Sequence, residues 1–269
     1  QEQALLDLLF DRERRAAFRA DRQRALSDYD MSAGERADFA TVRLEALEMD
    51  AAARVNFILA QYCRSYPLSF SLVSSLPPGL ERLRLLVDAA LLRTSPGERV
   101  GVFGLRLRDS LQGAAGAAEP ATMARLLAVV EAELGMAMTA QGVRAAALAG
   151  TLPAVAVLPA DWLQQPLRLA PFTSAAILPR PYATLKSMLC ACTGAELWRQ
   201  LSRQPLPAAT REGVLAAADL RLLVARAQLT RASPCEPVVD HVTVELGEGF
   251  ARLLPHVDGR NSVAGLLEQ

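Results

Sequence analysis

Along the first hundred residues, apolar positions recur every three or four places, the spacing of amphipathic helices. Leu5, Leu8, Leu9 and Phe18 predict one helix over 4–20, with Arg12, Arg15 and Arg19 beside its apolar stripe. Ser32 and Glu35 stand at capping-box spacing and predict a helix start, followed by Phe39, Val42 and Leu47 on one face. Asp50 can cap a further helix carrying Val55, Ile58, Leu59 and Tyr62. Pro67 disfavours helix at Tyr66, so SYPLSF is expected to be an irregular loop. Pro78 opens a helix with Leu80, Leu83, Val87 and Leu91, and Ser95-Pro96-Gly97-Glu98 repeats the signal of a cap followed by proline. Val100, Phe103, Leu107 and Leu111 keep helical spacing through VGVFGLRLRDSL. Residues 1–112 thus read as a bundle of five or six helices.

GAAGAAEP at 113–120 reads as a linker between this bundle and a C-terminal α+β domain at 121–269. That domain is expected to open with two helices. The first carries Met123, Leu126, Leu127, Val130 and Leu134, and the second runs over 139–149 to a stop at Gly150. PAVAVLP (153–159) and SAAIL (174–178) have strand character. Helices are expected near 182–191 and 195–202, and a third from a Thr210 cap to Leu220. RLLVARAQL (221–229) and VVDHVTVEL (238–246) alternate and are rich in β-branched residues, so they predict a hairpin whose tip holds Ser233-Pro234. A short helix near 250–254 and a final turn capped by Ser262 complete the chain. Three helices and a two-stranded wing, with SAAIL expected beside the wing as a third strand, have the order of a winged helix over about 172–269. The predicted class is mainly α with a small β component.

Charge narrows the range of partners. The 269 residues carry 29 Lys+Arg and 29 Asp+Glu, balanced in both halves, which argues against a phosphate-binding surface. No apolar run reaches the ~18 consecutive residues of a membrane span. The N-terminal QEQALLDLLFDRERR is amphipathic and charged, unlike a signal peptide. The four cysteines do not form a disulfide framework, and a cytoplasmic chain with reduced thiols is expected.

Residues able to do chemistry are few. His241 and His256 are the two histidines and Lys186 the one lysine. Cys190 and Cys192 are two apart, which on a helix points them about 200° from each other and is poor chelating geometry. They read as buried or half-buried thiols in a helix. His241 reads as a surface residue of the hairpin, and His256 as a surface residue at a helix end. Gly101 and Gly104 lack the strand–helix context of a phosphate loop. No catalytic and no metal-binding residue is therefore expected. An open wing edge, by contrast, can take up a peptide strand through main-chain hydrogen bonds.

Two stretches in the helical half carry a family resemblance: YDMSAGERADF, and ILAQYCRSYPLSFSLVSSLPPGLERLR with SYPLSFSLVSSLP as its most specific part. Over about 20–110 the chain resembles the methanobactin biosynthesis proteins of the MbnC family. LLVARA, VTVEL and FARLLPHVDGRNSVAGLLE are similar to winged-helix and PqqD-like peptide-recognition modules, although LLPHVDGR stands where those modules often have LLDGR.

The resemblance implies a partner, an MbnB-like TIM-barrel oxidase that holds several non-haem irons. It also implies a substrate, an MbnA-like precursor peptide whose cysteines become oxazolone and thioamide groups that chelate copper. The iron would belong to the partner, and this chain would carry no cofactor of its own. It would form a heterodimer with the oxidase and hold the precursor leader. The leader is expected on the hairpin, at Leu222, Val224, Arg226, Val242 and Val244. Arg64, Tyr66 and Phe70 are expected at the oxidase interface. Two alternatives compete: a winged-helix DNA-binding regulator using TREGVLAAADL (210–220) as its recognition helix, and a stand-alone enzyme with an unfamiliar site.

Overall fold

In a computed structural model of the chain, the described residues are 2–41, 44–95, 97–114, 119–153, 160–190, 192, 194–216, 219–233 and 237–267. They form a mainly helical protein with two small antiparallel sheets. The N-terminal half holds α1 (Glu2–Phe10), α2 (Arg12–Ala20), α3 (Arg22–Leu26), α4 (Ala33–Ala40), α5 (Leu44–Tyr62), α6 (Pro67–Ser74), α7 (Gly79–Leu85), α8 (Ala89–Arg93) and α9 (Arg99–Gln112). The long α10 (Pro120–Leu148) follows, then β1 (Pro166–Arg168) and β2 (Thr173–Leu178). Next come α11 (Tyr182–Leu189), α12 (Gly194–Arg203) and α13 (Ala208–Leu215). The chain then runs through β3 (Arg221–Arg231), β4 (Val238–Leu246), α14 (Glu248–Ala251), β5 (Asp258–Ser262) and α15 (Val263–Leu267). One sheet has the order β2-β3-β4, so SAAIL does lie beside the hairpin as a third strand; the other pairs β1 with β5, a strand the sequence pattern did not reveal.

Caps explain where several helices depart from expectation. The helix predicted over 4–20 is two helices, because the Asp11 side chain accepts from the Glu13 and Arg14 amides at 2.9 and 3.1 Å and starts a new one. Ser32 and Glu35 do form the capping box, with the Ser32 amide donating to Glu35 at 2.6 Å and the Glu35 amide to Ser32 Oγ at 3.2 Å. That helix ends at Ala40, and α5 runs unbroken through Asp50, which is no cap. Val42 lies outside the described residues, as do 154–159 within PAVAVLP and Pro234 in the hairpin tip. The 139–149 helix is the second half of α10, which still stops before Gly150, a residue in the left-handed region at φ +66°. The third helix starts at Ala208, ahead of Thr210, and ends at Leu215. The largest departure is SYPLSF. The break falls at Tyr66 as expected, but the residues after it form α6, buried from Leu68 to Ser74.

A single apolar core joins the two halves. It includes Leu59, Phe70, Phe103, Val130, Leu185, Trp198 and Leu223, so the 113–120 stretch separates two helices but not two cores. Phe103 is its hub. Its ring lies 4.5 Å from Tyr62, 5.9 Å from Tyr66 and 5.8 Å from Phe70, and Phe70 meets Trp198 edge-on at 5.7 Å. The α10 helix is long and apolar enough to cross a membrane by length and composition. Here it packs on α6, α9, α13 and the three-stranded sheet. Close approach to that sheet needs Gly135, where an added Cβ would lie 2.9 Å from the Ser174 Cβ.

A second, smaller cluster of Ala4, Leu8, Phe18, Leu26 and Met31 organises α1–α4. The buried Asp7 joins it to the main body. Its carboxylate pairs with Arg93 of α8, accepts from Tyr29 Oη at 2.8 Å and lies 3.3 Å from Gln3 Nε2. Burial, reinforced by Asp7, pushes the Tyr29 hydroxyl up to about 12. Asp7→Ala leaves a guanidinium and a phenol without their acceptor. It is expected to cost roughly 2 kcal/mol and to speed amide exchange in α1–α4 ahead of the rest of the chain. Uniform exchange across the whole chain would contradict this latch.

Candidate functional site

The five residues expected to face a peptide share one side of the sheet. Cross-strand partners point the same way, and the register pairs Val224 with Val244, Arg226 with Val242 and Leu222 with Leu246. The strands divide the roles. β3 is the middle strand, so both its backbone edges are already paired. Its Leu222 is buried, Val224 half-buried and Arg226 exposed. β4 pairs on one side only among the described strands. Its Val242 and Val244 are 52% and 51% exposed, high for β-branched apolar side chains. Ile177 of β2, opposite Leu222, continues this apolar face at 40% exposure. A strand could therefore add to β4 but not to β3.

The residues expected at a partner interface separate. Tyr66 and Phe70 have no exposed surface, and Tyr66 Oη donates to the Val100 carbonyl at 2.8 Å. They are core residues because the segment that carries them is a buried helix and not a loop. Arg64 is exposed and lines a cleft of about 290 Å³.

That cleft gathers most of the chain's scarce chemistry. Lys186 of α11, Arg144 of α10, His241 of β4, Cys190 and Glu133 also line it. Glu133 lies on the buried face of α10, in register with Leu126, Val130 and Ala137. Its oxygens accept from the Leu68 and Ser69 amides at 2.9 Å each and from Ser69 Oγ at 2.6 Å. The carboxylate thus caps the start of α6, whose own N-cap residue, Tyr66, makes no side-chain cap bond. Burial pushes the carboxyl up to about 7 against those hydrogen bonds, which favour the charged form.

His241 is not a surface residue. It is half-buried on the inner face of β4, and its Nε2 donates to the Met136 carbonyl at 2.9 Å, with Thr139 Oγ1 at 3.4 Å. Burial lowers its pKa, and the nearby charge of Arg144 adds to that. The imidazole is therefore neutral at pH 7, with Nδ1 carrying the lone pair. Cys190 follows the end of α11 and is not inside it, and burial pushes its thiol up to about 12. It is a protonated thiol, not a nucleophile. Cys192 is half-buried with its Sγ 3.3 Å from Gln200 Oε1. His256 is exposed in a 3-10 turn. Among the described residues, no three His, Cys, Asp or Glu side chains come together as a metal site.

The sequence reading missed Glu133, Arg144 and the inward orientation of His241. A usable signal existed for the first, an acid on the apolar stripe of a helix. For the others, tertiary placement alone brings the cations together. A second hollow of about 410 Å³, lined by Leu9, Phe10, Val55, Asn56 and Leu85 among others, lies between the N-terminal helices and the main body. No known protein family, curated protein or solved structure matches the chain.

Proposed function

We propose that this chain is a non-catalytic subunit that holds a precursor peptide along β4 for a partner iron-dependent oxidase, which converts the peptide's cysteines to oxazolone and thioamide groups. The observation that carries the reading is the edge of β4 that is unpaired among the described strands, with exposed Val242 and Val244 beside it. A peptide strand laid there gains main-chain hydrogen bonds worth about 1 kcal/mol each and covers apolar surface that water now meets. The order α11–α13 then β3-β4, with β2 alongside, is compatible with a winged-helix or PqqD-like module. The oxidase partner rests on the MbnC-like stretches in the helical half, and its contact surface on this chain lies outside Tyr66 and Phe70.

The DNA-binding alternative loses support from α13. Arg211 is engaged internally, donating to the Ser75 carbonyl at 3.1 Å and pairing with Glu212. Arg180 is spent on the helix's last carbonyls, Gly213, Val214 and Ala216. Neither is offered to phosphate.

The test is co-expression with an MbnB-like oxidase, followed by titration of a fluorescent methanobactin-type leader peptide into the purified complex. An iron-loaded pair at one-to-one ratio is expected. Val242→Asp and Val244→Asp, both at exposed positions, are each expected to weaken leader binding at least tenfold. Full-affinity binding by both variants removes β4 from peptide recognition. Elution of this chain alone and without iron removes the oxidase partnership.

A further inference from the structure

Cations converge on the cleft beside β4. Arg64, Arg144 and Lys186 reach it from three separate segments, and none of them forms an ion pair among the described residues. Several other cations hold carboxylates, as Arg93 does Asp7, Arg106 does Asp88 and Arg221 does Asp219. The one acid on the lining, Glu133, has its oxygens taken up by α6. Lys186 lies over the face of Tyr182 at 5.6 Å, and its charge acts on Glu133 without a direct ion pair among the described residues.

The backbone around the cleft supports the same charge. α12 begins at Gly194 on the cleft's rim, so the positive end of a ten-residue helix adds to the three cations. Gly194 sits at φ +58°, and a Cβ there would lie 2.7 Å from Arg64 Cγ. Only glycine lets the arginine stem lie across the helix start. In a chain of zero net charge, this is a local excess of positive charge among the described residues: Glu133 is engaged by α6, and Glu196, in the first turn of α12, is paired with Arg199.

β4 contributes Val239 and His241 to the lining, both on its inner face. A strand added to β4 would turn every second side chain toward that same face. We propose that the cleft binds the carboxylate of an acidic residue, Asp or Glu, on the peptide that extends the sheet at β4. Arg64, Arg144 and Lys186 are then specificity-determining residues that fix the peptide's register by one inward-facing acid. This rests on the peptide-edge reading above and adds to it the chemistry of the side chain recognised.

The probes are fluorescein-labelled twelve-residue peptides alternating Val and Thr, with one Glu moved through successive positions, and the same set with Gln. On the full chain, one register of Glu peptide is expected to bind at least tenfold more tightly than its Gln counterpart. The preference should shrink with added salt. The triple variant Arg64→Gln, Arg144→Gln, Lys186→Gln changes exposed side chains and is expected to bind the two peptides alike. Equal binding of Glu and Gln peptides by the unaltered chain overturns the cleft assignment while leaving the edge intact, and so does a Glu preference that survives in the triple variant.

If neither peptide binds, the edge reading fails, and the cleft is read separately from the His241 ring resonances. Shifts caused by N-acetylglutamate N-methylamide in the unaltered chain but not in the triple variant keep the carboxylate site. Shifts caused by inorganic phosphate alone, or by neither probe, overturn it.

Discussion

Glu133→Ala is expected to destabilise the protein by roughly 4 kcal/mol, because it strands two backbone amides and a hydroxyl in the interior. The amides of Leu68 and Ser69 and the Ser69 hydroxyl have this carboxylate as their acceptor. α6 is buried from Leu68 to Ser74, so the freed groups lie away from bulk water. Urea denaturation should show the midpoint falling with little change in slope. A loss under about 1 kcal/mol would mean that α6 finds another acceptor.

The same residue sets a pH dependence. Its carboxyl is held up to about 7 in the folded chain, whereas an unfolded glutamate titrates near 4.5. Between those values the folded state keeps a proton that the unfolded chain releases. This contribution is therefore fully present below about pH 4.5 and is lost as pH rises through about 7, with an upper limit of roughly 3 kcal/mol. Glu133→Gln removes the titrating group. Its denaturation midpoint should then change less between pH 5 and pH 8 than that of the unaltered chain. A Gln variant with an undiminished slope would assign the effect to another group.

The second large effect belongs to Phe103. The ring is fully buried and touches three other aromatic rings, from α5, the turn after it, and α6. Phe103→Ala removes the contact that they share and opens a cavity, for an expected loss of about 3–5 kcal/mol. Part of that is the geometric preference of the ring pairs, about 0.5–1.5 kcal/mol each. Combined with Phe70→Ala, the losses should fall short of additive, since the two rings lean on each other. Strict additivity in the double mutant would argue that the rings pack independently. Destabilisation below about 1.5 kcal/mol would show that α5, α6 and α9 collapse into the space.

Much of the local structure was legible because its cause is local. Ser32 and Glu35 stand three residues apart, and both cap bonds form. Gly150 stops a helix where its left-handed backbone is needed. The alternation in 221–246 gives a hairpin, and the structure sets its register, with Val224 opposite Val244. The candidate peptide face was legible for the same reason, since a two-residue period puts Leu222, Val224 and Arg226 on one side.

What failed to show in the sequence was set across distance. SYPLSF looks like a loop because Pro67 and two serines are poor helix material. It is a helix because Glu133, more than sixty residues away, supplies the missing cap and the core supplies the burial. With it, Tyr66 and Phe70 move from expected surface anchors to the interior. Asp11 shows the converse, a polar residue on a plausible helical stripe that captures two amides and divides the helix.

By itself, then, the sequence determined the charge balance, the mainly helical class, most element starts and the two faces of the hairpin, since these depend on residues two to four apart. The tertiary structure alone decided which hairpin strand keeps an open edge, which segment is core, and that Arg64, Arg144 and Lys186 line one cleft with no ion pair among the described residues. Those outcomes depend on which distant surfaces pack together, and no short-range period encodes that.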